Sequence, residues 1–157
     1  MVQGLGLSML VRAHSMTKDA KYLEIGEEVL NSFLVTIVRG GVLYVAPADE
    51  SVWYLEWPAF SRPKTLNGFI FALLGIWDYY QVTKKSTAKV LFAQGIQSLK
   101  DHLHEFDKYN RSSYDLGGDP FSYNQPYHQL HIKQLATLYD ITGEEIFNEY
   151  SKKWKKE

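Results

Sequence analysis

The stretch Tyr54-Leu55-Glu56-Trp57-Pro58, which leads on into Leu66-Asn67-Gly68-Phe69, organises this chain. Its first residues predict an extended segment, which turns at Pro58 and then enters the most apolar helix of the sequence. Glu56 therefore precedes that helix among three large aromatic side chains. Aromatic walls around one acid are a common way to hold a sugar ring. The same residues also fit a hairpin that caps a helical core, with Glu56 turned to water.

The spacing of apolar residues predicts six helices. The third, over residues 65–81, is apolar nearly all round and should be buried, whereas the second (19–37) and the fourth (86–107) are amphipathic. The first covers residues 3–16. The fifth starts at Pro126 and ends near Ile141, and Thr142-Gly143-Glu144-Glu145 is typical of a capping box that starts the sixth.

Gly4 and Gly6 in the first helix superficially suggest a dinucleotide-binding loop. No strand precedes them, so we reject that interpretation. We interpret both glycines as residues that allow close packing between helices.

Two connections carry the predicted strands. After the break at Gly40-Gly41, residues 42–45 and 51–55 are typical of short strands joined by a turn at 47–50. The connection from 110 to 125 is rich in Tyr, Ser and Gly and is expected to hold a small hairpin around Tyr114. The helical chain therefore includes small β-hairpins.

A repeat groups the helices in pairs. Thr17, Thr83 and Thr142, at spacings of 66 and 59 residues, each follow an apolar helix and precede a charged one. Such alternation is typical of an α/α toroid with inner and outer helices. We predict a single all-α domain over 1–157, with small β-hairpins, whose three helical hairpins form half of an (α/α)6 barrel. The open edges of this half-toroid should expose inner-helix residues around Phe71, Leu74 and Leu135.

Composition narrows the classes of function. The chain has 157 residues, of which 45% are hydrophobic and 15% aromatic, as in a globular domain. A net charge of −1 gives no general reason to expect a nucleic acid, so an anionic ligand must be held by local cations such as Arg62, Lys64 and Arg111. The absence of Cys excludes disulfides and thiolate chemistry.

Targeting signals are not informative. The longest apolar run, near 69–77, is too short to span a membrane, so we expect no membrane segment in this chain. No signal peptide is apparent at the start of the chain. The compartment therefore stays open.

The predicted topology gathers polar residues at one end of the domain. The connections 38–64 and 108–125 both enter inner helices there, and such loops on a rigid scaffold are where sites are usually built. The positive ends of the helix dipoles at that end favour anions, including a carboxylate of a substrate. The residues concerned are Glu56, Trp57, Arg62, Arg111, Tyr114, Asp115, Asp119, Tyr127 and His128.

The histidines do not predict a metal site. His102 and His104 are two residues apart on a helix and cannot share a ligand face, whereas His128 and His131 are three apart and do share one. No third ligand is evident beside the second pair. We therefore favour structural or hydrogen-bonding roles for these histidines.

Several short motifs, in order along the chain, resemble one family. They are Gly4–Ala13, Glu56–Pro58, Leu66–Phe69, Ser113–Leu116, Tyr127-His128, His131–Leu135 and Lys153–Lys155. Together they resemble the C-terminal domain of D-glucuronyl C5-epimerases, which convert D-glucuronate to L-iduronate in heparan-type polysaccharides. The resemblance implies an isomerase on an α/α toroid, acting on a uronate-containing polysaccharide. It also implies that the chain is a fragment of a longer protein and is inactive alone.

The resemblance further implies roles for individual residues. The reaction needs a base on one face of the C5 carbon, an acid on the other, and donors or a cation for the sugar carboxylate. By motif, the catalytic positions are Glu56, Tyr114 and Tyr127. The substrate-binding positions are Trp57, Arg62, Asn67, Arg111 and His128. No cofactor and no metal are expected, a homodimer is compatible with the open edges, and eukaryotic members of the family are Golgi-resident.

Two residues depart from the family pattern and keep alternatives open. Trp57 replaces the Tyr of a Glu-Tyr-Pro motif, and Gly117 replaces an Arg that usually follows Tyr-Asp-Leu, so a phenol and a carboxylate clamp are lost. One alternative is a hydrolase or lyase for uronate-containing glycans, which would pair Glu56 with Asp115 or Asp119. The other is a non-catalytic carbohydrate-binding domain.

Overall fold

The computed structural model describes residues 1–57, 64–117 and 125–156, and within these the chain is mostly helical. The predicted all-α class with small β-hairpins is confirmed. The elements are α1 (Val2–Thr17), α2 (Lys21–Asn31), β1 (Leu43–Val45), β2 (Val52–Tyr54), α3 (Leu66–Thr83), α4 (Ser86–His102), β3 (Asp107–Lys108), β4 (Arg111–Ser112), α5 (Gln125–Thr142) and α6 (Glu145–Trp154).

Helix α3 is the centre of the core. It packs against α1 and α5 and against its own hairpin partner α4, while α1 pairs with α2 and α5 with α6. Its side chains at Leu66, Ile70 and Ile76 are fully buried. A helix that is apolar nearly all round needs neighbours on most sides. This helix therefore positions the rest of the domain.

Helices α1 and α3 run parallel with their backbones in contact. A Cβ on Gly75 would lie 2.0 Å from the Gly4 carbonyl oxygen, and a Cβ on Gly4 would lie 2.6 Å from Ala72 Cα. One turn further along both helices, the Ser8 hydroxyl donates to Asp78 Oδ2 at 2.6 Å. The packing role predicted for Gly4 is confirmed. A Cβ on Gly6 would meet nothing within 4 Å, so Gly6 does not serve the predicted close packing among the described residues.

The predicted repeat is visible in the hydrogen bonds at the ends of α1, α3 and α5. Thr17, Thr83 and Thr142 are the last residues of these helices, and each hydroxyl donates to the carbonyl oxygen four residues earlier. Each hydroxyl oxygen also accepts the backbone N–H two residues later. The intervening residue is left-handed in all three cases. The same local device therefore turns the chain from each apolar helix into the next, more polar one.

The second helix is shorter than predicted. It ends at Asn31, and two 3-10 turns, at Ser32–Leu34 and Ile37–Arg39, follow it. Val35 is extended, and its carbonyl oxygen accepts the N–H of Leu43, which follows the Gly40-Gly41 break. The β-branched run over 35–38 loses side-chain freedom in a helix, so pairing with residues 41–43 wins over continuation.

Two further helix boundaries also differ from the prediction. Helix α4 ends at His102, and a 3-10 turn over Leu103–Phe106 leads into β3, because the chain there turns to form a hairpin. The predicted capping box at the start of α6 is wrong. Thr142 belongs to α5, and the N-cap of α6 is Glu144, which makes no side-chain capping hydrogen bond.

The described residues contain two hairpins, of which the first matches its predicted position and the second lies earlier in the chain than predicted. Strands β1 and β2 pair antiparallel with Tyr44 opposite Trp53, which confirms the first. The second, β3–β4, turns at Tyr109 and Asn110, both left-handed, as a two-residue hairpin loop requires. Tyr114 lies just after this hairpin rather than within it.

An exposed apolar stripe lies on α1, away from the positions predicted for the edges. Leu135 is fully buried, and Phe71 and Leu74 are half-buried. Val2, Leu5, Met9 and Met16 instead form an exposed stripe along α1, with Met9 68% exposed. The prediction failed because α3 and α5 cover each other, which leaves α1 as the helix with an open side.

The α1–α3 contact gives a direct test of the packing. Gly75→Ala should destabilise the protein by about 1–3 kcal/mol, because the new methyl group meets the backbone of Gly4, which cannot rotate away. Gly6→Ala is the matched control and should be neutral or stabilising by up to about 1 kcal/mol, since its methyl group enters open space within a helix. Denaturant unfolding of both variants measures the difference. Equal stability of the two variants would contradict this packing.

Candidate active site at the start of helix α3

Glu56 packs on the first turn of α3. A Cβ on Gly68 would lie 2.3 Å from Glu56 Oε2, so the absence of a side chain at Gly68 makes room for the carboxylate. Oε2 is buried and has no hydrogen-bond partner among the described residues. The carboxylate lies at the positive end of the α3 dipole, where negative charge is favoured. Glu56 therefore has a carboxyl oxygen that no described residue binds.

Backbone pairing brings Tyr114 to the same end of α3. Thr65 and Asp115 form an antiparallel bridge, in which the Leu66 N–H donates to the Tyr114 carbonyl oxygen at 2.9 Å. The Leu116 N–H donates to the Lys64 carbonyl oxygen at 3.3 Å. The residues that precede α3 are thus tied to the segment that follows the β3–β4 hairpin.

The ring of Tyr114 contacts the ring of Tyr127, with centroids 4.7 Å apart and planes inclined at 58°. Tyr127 lies in the first turn of α5 and is 37% exposed. The structure therefore brings together the three residues that the sequence predicted as catalytic, since Tyr114 also interacts electrostatically with Glu56.

The environment of Tyr114 keeps its phenol protonated. Burial raises its pKa above the ordinary value, and the nearby charge of Glu56 and the neighbouring Tyr127 raise it further, while a hydrogen bond from the Trp57 side chain acts in the opposite direction. A phenol with a raised pKa donates a proton more readily than it takes one at neutral pH. Tyr114 is therefore a candidate acid and Glu56 a candidate base.

Two of the three aromatic residues predicted to surround Glu56 belong to the hydrophobic core. Trp53 and Tyr54 are buried, Tyr54 donates its hydroxyl to the Leu91 carbonyl oxygen, and burial raises its pKa. Trp57 alone among the three is exposed, at 57%. Only Trp57 therefore offers a surface on which a sugar ring could stack.

The other predicted substrate-binding residues occupy different environments. Arg62, like Asp119, lies outside the described residues. Arg111 is exposed on β4. Asn67 is only 3% exposed, and its side-chain Oδ1 has no partner among the described residues. Asn67 is therefore too buried in this conformation to contact a glycan directly.

His128 is buried behind the site, with 1% of its surface exposed. The Ser112 N–H donates to its Nδ1 at 3.1 Å, and its Nε2 lies 3.1 Å from the Trp154 carbonyl oxygen. Its predicted partner on the same helix face, His131, lies 2.8 Å from Ser112 Oγ through Nδ1. Both histidines thus bind one serine, which the sequence pattern gave no signal to find.

No metal centre is evident in the part of the chain that the structure describes, where no group of three His, Cys, Asp or Glu side chains could hold an ion. Within the same residues, no helix is both long and apolar enough to cross a bilayer. A polar groove of about 450 Å³ lies between the β1–β2 turn and α4 and includes Asp49, Asp101 and His102. Two of its carboxylates are engaged within the groove, since Asp49 contacts His102 and Asp101 accepts from Gln97 Nε2.

These features define a class of protein: a helical-hairpin domain with a carboxylate and two phenols gathered at the start of its central helix. The family model for the C-terminus of D-glucuronyl C5-epimerase matches residues 1–156, so the chain belongs to that family.

Two curated relatives extend the comparison. An uncharacterised protein of Methanocaldococcus jannaschii is 34% identical over 151 residues, which cover 95% of this chain and 48% of that protein. The D-glucuronyl C5-epimerase of Caenorhabditis elegans is 29% identical over 171 residues, which cover 98% of this chain and 27% of that protein. The chain therefore spans half or less of the length of these relatives.

His131 gives a prediction for stability against pH. Burial, and then the proximity of His128, lower its pKa to about 3 in the folded protein, against about 6.5 when unfolded. The unfolded chain then binds a proton that the folded chain does not, so stability is full above pH about 6.5 and falls as pH drops towards 3, at up to about 1.4 kcal/mol per pH unit.

Urea unfolding between pH 7 and pH 4 measures this dependence. His131→Asn is the control, because its side chain can still bond Ser112 but does not titrate. The slope of stability against pH should decrease in this variant. An unchanged slope would show that other groups carry the acid sensitivity.

Proposed function

We propose that this chain is the helical part of an epimerase that inverts C5 of D-glucuronate to L-iduronate within a heparosan- or heparan-type polysaccharide. The observation that carries the proposal is the gathering of Glu56, Tyr114 and Tyr127 at the start of α3, with Glu56 Oε2 buried and lacking a partner among the described residues. Membership of the epimerase family supports it. The activity belongs to a longer protein, of which this chain is one part.

The reaction proceeds by loss and return of one proton. The C5 proton is weakly acidic because the carbanion that its removal leaves is stabilised by the adjacent carboxylate. Glu56 takes this proton from one face of the ring, and the electron pair of the C–H bond moves into the sugar carboxylate. Tyr114 then donates its phenolic proton to C5 from the other face. Proton exchange with solvent then removes the proton from Glu56 and restores the phenolic proton of Tyr114.

The assignment of acid and base follows from the surroundings of each group. Glu56 lies at the N-terminus of α3, and its Oε2 has no partner among the described residues, so that oxygen is available to accept a proton. Tyr114 is partly buried beside that negative charge, which favours its protonated form. Tyr127 is more exposed and contacts the Tyr114 ring, so it is placed to share the proton or to bond the substrate.

The sugar carboxylate needs positive partners as charge builds up on it. The start of α3 supplies helix-terminal N–H groups, and Arg111 and Arg62 are the candidate cations. Trp57 provides an exposed ring for stacking on the sugar. Asn67 and His128 are both buried, so we propose that they support the site without contacting the sugar.

The toroid is part of the same proposal, and the repeat supports it. Phe71, Ala72, Gly75 and Asp78 of α3 form the face that receives α1. The 66-residue repeat relates these four positions to Leu5, Gly6, Met9 and Arg12, which lie on the open side of α1. We propose that this open side receives an inner helix of a preceding hairpin in the longer protein, or a second copy of the chain.

Hydrogen exchange tests the reaction. In the longer protein, incubation with heparosan in deuterated water should place deuterium at C5 without shortening the polysaccharide. A hydrolase or lyase would shorten it, and a binding domain would do neither. Shortened chains, or no exchange by a folded full-length protein, would contradict the proposal.

Single substitutions test the assigned groups. Glu56→Gln, Tyr114→Phe and Tyr127→Phe should each lower the exchange rate at least about a hundredfold, the usual scale for a lost acid–base group. Glu50→Gln and Tyr109→Phe are matched controls at exposed positions and should keep the wild-type rate. A Phe variant with near-normal exchange would remove that tyrosine from the mechanism.

The open side of α1 gives a prediction for the isolated chain. Exposed Leu5 and Met9 should make it self-associate, and it should not turn over heparosan. Leu5→Glu combined with Met9→Glu should yield a monomer in light scattering, because charges replace the apolar contact. Val38→Glu, at another exposed apolar position, should leave association unchanged. An active wild-type monomer would refute the proposal that the chain is a fragment.

A further inference from the structure

A buried hydrogen-bond network lies directly behind the Tyr114–Tyr127 pair. Ser112 is two residues before Tyr114, and His128 is one residue after Tyr127. The Ser112 N–H donates to His128 Nδ1 at 3.1 Å, so one bond joins the segment of the first tyrosine to the helix of the second. The two rings stand 4.7 Å apart in front of this bond.

The protonation of His128 follows from its partners. A backbone N–H can only donate, so Nδ1 must accept and the proton of the neutral ring lies on Nε2. Nε2 then donates to the Trp154 carbonyl oxygen, 3.1 Å away. Both ring nitrogens are thus committed to the chain, and the ring is 1% exposed.

The network also reaches strand β3 of the hairpin, through Trp154. The Trp154 Nε1–H donates to Asp107 Oδ1 at 2.8 Å, and Lys153 also bonds this carboxylate. Asp107 is the cross-strand partner of Ser112 in the β3–β4 hairpin. The two strands of the hairpin are therefore fixed to α5 and α6 at both sides, which sets where Tyr114 leaves the hairpin.

Ser112 also contacts the second histidine. Its Oγ lies 2.8 Å from His131 Nδ1 and 2.9 Å from His128 Nδ1. A proton on His131 Nδ1 lets that nitrogen donate to Ser112 Oγ, which in turn donates to His128. This direction of donation leaves a lone pair on the buried His131 Nε2 in place of an orphaned N–H. All members of the network then have compatible roles.

From this geometry we infer that His128 is a positioning residue, which holds the phenol of Tyr114 against Tyr127 through its bond to the Ser112 N–H. The inference rests on the proposed function for its catalytic meaning. His128 acts through the hairpin and does not touch substrate. Loss of the Ser112 bond should let the hairpin move away from α5 and separate the two rings.

Two substitutions separate this role from plain packing. In His128→Asn, the amide oxygen stands near the place of Nδ1 and can still accept the Ser112 N–H, while the bond to Trp154 is lost. In His128→Gln, the amide nitrogen reaches towards the Trp154 carbonyl oxygen, while the acceptor for Ser112 is lost. Both variants remove a buried ring, so a purely structural role would affect them alike.

The primary measurement is the nuclear Overhauser contact between the Tyr114 and Tyr127 rings at neutral pH, assigned with Tyr114→Phe. The contact should persist in His128→Asn and disappear in His128→Gln. The pKa of Tyr114, measured from the pH dependence of its carbon-13 chemical shift, should fall towards the ordinary value of about 10 in the Gln variant only. Wild-type contact and titration in His128→Gln would overturn the inference.

A second variant and a kinetic measurement complete the test. If His128→Gln does not fold, His128→Leu keeps a buried side chain but offers no acceptor to the Ser112 N–H; it should lose the ring contact, and an unchanged contact there would overturn the inference. In the longer protein, His128→Gln should lower kcat for C5 exchange at least about tenfold with little change in KM, while His128→Asn stays near wild type. If the wild type exchanges no deuterium, the proposed function fails, and the ring contact still decides the positioning role.

Discussion

The burial of α3 on nearly every side is the constraint on which the rest of the structure depends. Its apolar surface is covered by α1, α4 and α5, and its contact with α1 is close enough that glycines are needed at Gly4 and Gly75. A helix enclosed in this way can be reached by ligands only at its ends. The described catalytic candidates accordingly lie at its N-terminal end, carried by the segments that lead into α3 and α5.

The same end of the helix also sets the electrostatics. Glu56 occupies the space that Gly68 leaves and faces the positive end of the α3 dipole, while Tyr114 is held beside it by backbone pairing to residues 64–66. A negative charge next to a partly buried phenol keeps the phenol protonated. The roles of base and acid that we propose for Glu56 and Tyr114 thus depend on where the backbone places two ordinary side chains.

Buried polar groups behind the Tyr114–Tyr127 pair bind the β3–β4 hairpin to α5 and α6. The Ser112–His128–Trp154 network ties β4 to α5 and α6, and Trp154 returns to β3 through Asp107. The position of Tyr114 therefore depends on buried polar residues behind it.

The sequence by itself determined the elements with strong local signals: the apolar α3, the β1–β2 hairpin, and the threonine that ends each of α1, α3 and α5. It also marked Glu56, Tyr114 and Tyr127 as candidates, through the resemblance of their motifs to those of the epimerase family. It could not place the end of α2, where pairing of Val35 with Leu43 overrides helical periodicity, nor the start of α6, where Thr142 bonds within α5. Only the tertiary structure decided that Trp53 and Tyr54 are core while Trp57 is exposed, and that His128 is buried. These outcomes depend on which distant segments cover each side chain, and local spacing carries no information about that.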